Sequence, residues 1–294
     1  MAHSHVLLGA DATPAPVSIR KIGIADLKDA LAKGVDDFAA MPTHALFLGA
    51  IVPILGLLLA RFAFGYAVLP LLYPLAAGFA LVGPVAALGL YELSRQREAG
   101  LDPSVTHALD VLSSSSFGAI AALAVLLVGI FALWMAVANA IYVATFGYAP
   151  QLSIGAFVDD LFTTSAGWQL IVLGNGVGFL FAVLVLTISV ASFPLLLDRD
   201  VGAATALWTS VRVVIDNPLT MALWGVIVAA LLLLGSLPFF LGLAVVVPIL
   251  GHATWHLYRK AVEPAGSPHP SRRPLTHERR YAADFPSVLF PWTK

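Results

Sequence analysis

The sequence predicts an all-α fold: a polytopic transmembrane helix bundle with six spans. Two observations carry that prediction. The 294 residues are 59% hydrophobic and only 11% charged, with a mean hydropathy of +0.89, whereas soluble domains carry roughly 25% charged residues. The apolar residues are also gathered into runs near or above the ~20 that cross a bilayer. A chain this apolar has no surface to show to water, so lipid must be its main solvent.

The predicted spans are about 42–60, 67–91, 117–146, 168–197, 219–236 and 238–258. The third and fourth are long and should tilt or protrude. The fifth and sixth are joined by Gly235-Ser236-Leu237-Pro238, a tight turn. Residues 1–18 read as a disordered N-terminal tail without the basic-then-apolar order of a signal peptide. Residues 19–262 form the membrane domain. Residues 263–294 are a Pro/Arg-rich tail that reads as mostly disordered. Its aromatic end, DFPSVLFPWTK, could dock on a membrane-protein partner or on the lipid bilayer.

Orientation follows from the basic residues in the loops. Of the 16 Lys and Arg residues, only Arg61 falls on the side opposite the termini. Both termini are therefore expected in the cytoplasm.

A short amphipathic stretch precedes each odd-numbered span: 24–41, 104–112 and 203–215. In the first, Leu27, Leu31, Val35 and Phe38 share a face, and Asp26, Asp29, Lys33, Asp36 and Asp37 occupy others. In the third, Leu207, Val211, Val214 and Ile215 fall together. These read as cytoplasmic interfacial helices lying on the membrane surface. Pro42 and Pro218 should mark where the chain turns into the bilayer, since proline is tolerated in a helix's first turn.

Interfacial helix followed by hairpin thus occurs three times, which suggests three parallel repeats around an axis along the membrane normal. Residues 29–51 align without gaps to 205–227, matching Ala30 with Ala206, Pro42 with Pro218 and Gly49 with Gly225. At the hairpin ends, 82–95 aligns with 246–259, matching Pro84 with Pro248 and Arg95 with Arg259. Chance similarity between apolar segments is the competing explanation.

Few chemistries survive inspection. The chain has no cysteine, which excludes disulfides, thiolate zinc sites and iron–sulfur clusters. Net charge is −1 and no basic face is present, so no nucleic acid partner is expected. His252 and His256 are four apart on span six and share a face, the spacing of a metal site. They are a weak metal candidate only, because a third ligand would have to come from elsewhere, with Glu92 and His44 at the same level. An interfacial polar layer explains them equally. No cofactor is expected.

Arg61 could pair with Asp159 and Asp160, although these acids read more simply as caps of a surface helix. Asn139 and Asn175 sit in the outer parts of spans three and four, where an amide usually bonds across helices. Gly174 and Gly178 form a small-xxx-small pattern that allows close helix approach. Mid-bilayer Asp, Glu, Lys and Arg are absent, which argues against an ion pump.

The strings LFLGAIVPILGLLLA, PLAAGFALVGPVAALGLYELSRQREAG, SFPLLLDRDVGAATA, TSVRVVIDNP and GLAVVVPILGHATWHLYRK resemble an uncharacterised family of bacterial integral membrane proteins, a domain of unknown function. The resemblance runs from about 19 to 262 and implies the bacterial inner membrane. Members are sometimes labelled cytochrome c oxidase subunit I. That label fails here, because of eight histidines only His44, His252 and His256 lie near spans, too few to ligate haems and copper.

Two function classes remain. One is a non-catalytic scaffold, assembly factor or accessory subunit, favoured by the absent chemistry, the interfacial helices and the aromatic tail. The other is a permease for an uncharged or amphipathic solute such as a lipid, favoured by parallel repeats and by Pro53, Pro74, Pro84 and Pro248. An enzyme is not expected, since no paired acid–base or nucleophile constellation is visible.

Overall fold

Apolar runs in lipid must satisfy their backbone internally, so they become helices. The computed structural model describes residues 17–41, 72–101, 103, 114–148, 153–237 and 240–264, and these are helical with no β-strand among them. In chain order the helices are α1 (Ile24–Ala40), α2 (Leu72–Ala86), α3 (Leu88–Glu98), α4 (Phe117–Phe146), α5 (Ile154–Thr163), α6 (Ser165–Ser189), α7 (Ser192–Asp198), α8 (Ala203–Asp216), α9 (Pro218–Ser236) and α10 (Leu243–Ala261). Predicted span one, His44, Pro42, Arg61, the second interfacial stretch and the C-terminal tail lie outside the described residues.

Among the described residues, three stretches are long and apolar enough to cross a membrane: Phe117–Phe146, Ser165–Asp198 and Pro218–Ser236. These are predicted spans three, four and five. Exposed Val125, Val128, Phe179, Leu180, Val226 and Leu233 line their outer faces, as expected of helices whose solvent is hydrocarbon. The fourth span is not one straight rod. It turns after Ser189 and resumes at Ser192, where Pro194 has no N–H to continue the ladder. Ser210 Oγ accepts the freed Ala191 N–H at 3.1 Å.

Predicted span two is α2 and α3, which meet at Ala87 just after Pro84. The helix runs on to Glu98, beyond the expected end at 91. Its last turns carry Glu92, Arg95, Arg97 and Glu98, so this part belongs to a polar layer rather than to hydrocarbon. Predicted span six is α10, whose C-terminal half carries His252, His256, Arg259 and Lys260. Among the described residues, neither stretch reads as a full span on length and apolarity.

α1 and α8 form where the amphipathic pattern places them, and the face each packs on the bundle overlaps the apolar one in part: Leu27 is buried, and Leu31, Phe38, Leu207 and Val214 are partly buried against the core. In α1 the buried residues are Leu27, Ala30, Gly34 and Asp37, while Val35 is exposed. In α8 they are Ala203, Ala206, Thr209, Ser210 and Val213, while Ile215 is exposed. Close packing decides the rotation. α1 makes its most extensive contact with α10, and Gly34 lies where a Cβ would come within 2.8 Å of Ala253 Cβ and Ile249 O. Small residues permit that approach and larger apolar ones do not.

The aligned positions of the two helices share one burial pattern. Leu27, Ala30, Gly34, Asp37 and Met41 are buried, and so are their counterparts Ala203, Ala206, Ser210, Val213 and Asn217. Both helices end the same way. Met41 has φ −130° and ψ 47°, and Asn217 has φ −132° and ψ 52°. Pro218 then opens α9 as its first residue.

The segments before α1 and after α10 are clasped together. Ile19 bridges antiparallel to Val262, Arg20 N–H donates to Ala261 O at 2.8 Å, and Glu263 N–H donates to Ser18 O at 3.0 Å. Asn217 fastens the same segment. Its Oδ1 accepts from Ile22 N–H at 2.8 Å and its Nδ2 donates to Arg20 O at 3.1 Å. Thr220 adds a bond to Ile22 O at 2.9 Å.

Candidate functional site: a buried ionic layer

Three helices bring their polar residues to one end of the bundle. α1 runs antiparallel along α10, so Asp26 and Asp29 meet Lys260 while Asp37 meets His256. α3 packs against α10 where Leu90 fills the space beside Gly251, which sets Ser94 against His252.

Asp37 is the centre. Its Oδ2 accepts from Ser94 Oγ at 2.6 Å and lies 2.8 Å from His256 Nε2. Its Oδ1 accepts from Arg97. Burial pushes its carboxyl pKa up, but the bonds from His256, Ser94 and Arg97 outweigh burial and hold it below the ordinary 3.8. Asp37 was expected on the polar face of a surface helix. It is instead an interior residue, only 4% exposed, because it continues the small-residue stripe that packs on α10.

Donor counting fixes the protons. Ser94 has one hydroxyl proton, and a carboxylate can only accept. Ser94 therefore donates to Asp37 and accepts from His252 Nδ1, 2.8 Å away. His252 then carries its proton on Nδ1, and its buried Nε2 has no hydrogen-bond partner among the described residues. Ser94 and His252 are both fully buried.

A second set of bonds extends the layer. Glu92 accepts from Arg95 Nε and Nη2, each at 2.8 Å, and from Gln96 Nε2 at 2.9 Å, and this fork keeps Arg95 charged by raising its pKa further. Glu98 accepts from Trp255 Nε1 and Arg259 Nε, each at 2.9 Å. Asp198 accepts from Tyr258 OH at 2.7 Å and pairs with Arg259 at 3.6 Å. At the rim Lys260 reaches Asp29 at 2.9 Å. That contact lowers the Asp29 pKa and raises that of Lys260.

This arrangement binds helices together rather than presenting reactive groups. The His252 and His256 rings both turn toward Asp37, at 4.0 and 2.8 Å. Glu92 is occupied by Arg95 and Gln96 and does not join them. Among the described residues, no group of three His, Cys, Asp or Glu is placed to hold a metal. Sequence reasoning singled out the two histidines and missed Asp37, Ser94 and Arg97. The signal for Asp37 was present: it follows Ala30 and Gly34 at helical spacing, on the stripe that small residues mark for close packing.

The other predicted polar residues lie toward the opposite end. Asn175 Oδ1 accepts from Tyr73 OH at 2.7 Å, a bond across α6 and α2, and its Nδ2 donates to Ile171 O at 2.8 Å. Asn139 is exposed on α4. Asp159 and Asp160 sit in α5, which Ser153 caps, and their backbone carbonyls accept from Thr163 and Thr164. A Cβ at Gly178 would lie 3.1 Å from the Trp134 ring, while one at Gly174 would meet nothing within 4 Å. Gly174 faces a cavity of about 300 Å³ between α2, α4, α5 and α6.

No curated protein and no solved structure matches the chain. Residues 71–198 match the family described as predicted integral membrane protein (DUF2189), a stretch that takes in α2 to α7, including Ser94 and Arg97, and leaves out α1 and α8 to α10. That description agrees with the uncharacterised integral membrane family that the sequence resembles.

Proposed function

We propose that the chain is a non-catalytic membrane protein, a scaffold, assembly factor or accessory subunit of the bacterial inner membrane. The observation that carries this reading is the use made of the titratable groups. Asp37, Ser94 and His252 are shut away from solvent and bonded to one another. A catalytic acid, base or nucleophile must be able to touch a substrate. These residues hold α1, α3 and α10 in one rigid block.

Six spans in three parallel repeats, with both termini cytoplasmic, are part of the same proposal. The matching buried stripes of α1 and α8, and the matching breaks at Met41 and Asn217, support the repeat. The one-sided placement of Lys and Arg supports the orientation. In this reading the aromatic tail beyond residue 264 engages a membrane-protein partner.

Mild extraction from the native membrane, followed by native mass spectrometry, tests the reading. The expected result is a complex holding another membrane subunit at fixed stoichiometry, lost when the chain is truncated after Pro264. A chain that runs alone or only as a homo-oligomer overturns it. The second reading, a permease for an uncharged or amphipathic solute such as a lipid, is favoured by the apolar cavity beside Gly174. Reconstituted vesicles distinguish the two, because a permease accelerates transfer of a labelled lipid between leaflets and a scaffold leaves it at the protein-free rate.

A further inference from the structure

The cavity beside Gly174 lies at the far end of α2–α3 from the ionic layer. Tyr73 on its wall and Arg97 in that layer are separated by about 24 residues of helix, roughly 36 Å at 1.5 Å per residue. Its volume, about 300 Å³, is around twice that of an apolar protein cavity known to take up one benzene ring.

Its walls say what can occupy it. Trp134, Ala138, Ile141, Phe157 and Leu170 supply hydrocarbon and aromatic surface. The polar atoms near them are engaged elsewhere. Trp134 Nε1 donates to Pro74 O at 2.8 Å, and Tyr73 OH and Asn175 bond to each other. A water needs two to four polar partners to stay in such a space, and the valences that Tyr73, Tyr142 and Asn175 have to offer are few against the apolar walls. An empty cavity forfeits dispersion contacts on every wall. Tyr73 and Phe162, on the cavity's edge, are 64% and 58% exposed, so the space opens on the outer surface of the bundle. That surface, along α4 and α6, is the lipid-facing one. Val172 and Leu173, next to the lining residue Ile171 on α6, are exposed apolar side chains of the same surface.

We propose that this cavity is a binding site for a single hydrocarbon chain of a membrane lipid. The chain enters between Tyr73 and Phe162 and lies against Trp134 and Ala138, while the headgroup stays outside. Gly174 keeps the room open, since a side chain there would project into the space without striking any neighbour. The proposal needs only that the protein is membrane-embedded, and it holds whether the chain is a scaffold or a permease.

The test uses the full-length protein in bilayers containing a phospholipid with a diazirine at the end of one acyl chain. After photolysis, labelled residues are mapped by mass spectrometry. Trp134 and Ala138 are only 4% and 5% exposed, so lipids on the outer surface cannot reach them. Label on these two residues is expected. In Gly174→Leu it should fall severalfold, while label on exposed Phe179 and Leu180 stays unchanged and reports an intact lipid-facing surface. Gly129→Leu, also free of neighbours within 4 Å, should leave label in the cavity at the wild-type level. Absence of label on Trp134 and Ala138 in the wild-type protein overturns the proposal. So does undiminished label in a folded Gly174→Leu protein.

Discussion

Asp37 and His256 stand 219 positions apart in the chain and 2.8 Å apart in the fold. Their contact joins the first described helix to the last. Ser94 and Arg97, on α3, close on the same carboxylate.

Removing that carboxylate should loosen the whole layer. Breaking a buried charge pair costs about 3–5 kcal/mol, and the partly exposed Arg97 recovers some hydration. Asp37→Ala is therefore expected to destabilise the protein by about 3 kcal/mol. Asp36→Ala, one position away on the exposed face of α1, should cost under about 0.5 kcal/mol. Thermal unfolding in nanodiscs, followed by tryptophan fluorescence, reads the difference.

The same residue gives a pH signature. Its folded pKa lies below the ordinary 3.8. Unfolding therefore takes up a proton at low pH, so the contribution of Asp37 is fully present above 3.8 and is lost as pH falls through the folded value. The stability gap between wild type and Asp37→Asn should be steady near neutrality and shrink below pH 3.8. A gap unchanged at acid pH would mean that the charge of Asp37 contributes nothing.

Gly34 tests the packing of α1 on α10. A Cβ there meets Ala253 and Ile249 within 2.8 Å, two of the three contacts being backbone atoms that cannot swing aside. Gly34→Val should cost at least about 1–3 kcal/mol, the usual toll of overpacking. Gly129→Val has open space around its Cβ and should change the melting temperature little. Equal melting temperatures for the two variants would contradict the close contact.

Asn217 fastens the N-terminal segment through its side chain. Asn217→Ala leaves the Ile22 N–H without its acceptor, a loss worth about 1–3 kcal/mol when the group is buried. Hydrogen exchange should show it locally, as faster exchange at Ile22 with the amides of α4 unaffected.

Topology is testable without background, because the chain has no cysteine. Single cysteines at Lys28 and Arg212 should react with a membrane-impermeant maleimide from one side. A cysteine at Tyr148, 90% exposed after α4, should react from the other. Reaction of all three from the same side refutes the span assignment.

The membrane helices were legible because a long apolar run has few alternatives in lipid. α4 spans 117–146 as predicted, and α9 begins one residue before the expected 219. Helix ends at Met41 and Asn217 were legible from Pro42 and Pro218. The inward faces of α1 and α8 were legible in part. Counting large apolar residues picks out Leu27, which is buried, and Leu31 and Phe38, which pack partly buried on the core, but it passes over Gly34, where α1 comes closest to α10. Asp37 was hidden for a related reason: a carboxylate reads as solvated until its distant partners are known. Periodicity shows which helices are amphipathic, but the partner helix decides which stripe is covered.

The contact between Asp37 and His256 also orders events during biosynthesis. α1 leaves the ribosome long before α10 exists. At about 5–20 residues per second, the 219 positions between the two residues take roughly 10–40 s to translate. Through that interval α1 has neither Lys260 for its aspartates nor Ala253 for its glycine stripe. An amphipathic helix can wait on the bilayer surface, its leucines in the headgroup region and its aspartates in water. The apolar side chains beside the buried stripe, Leu31, Val35 and Phe38, form the surface such a waiting helix needs. The pattern in the sequence then describes the nascent chain, and the burial in the finished fold describes what α10 does to it on arrival.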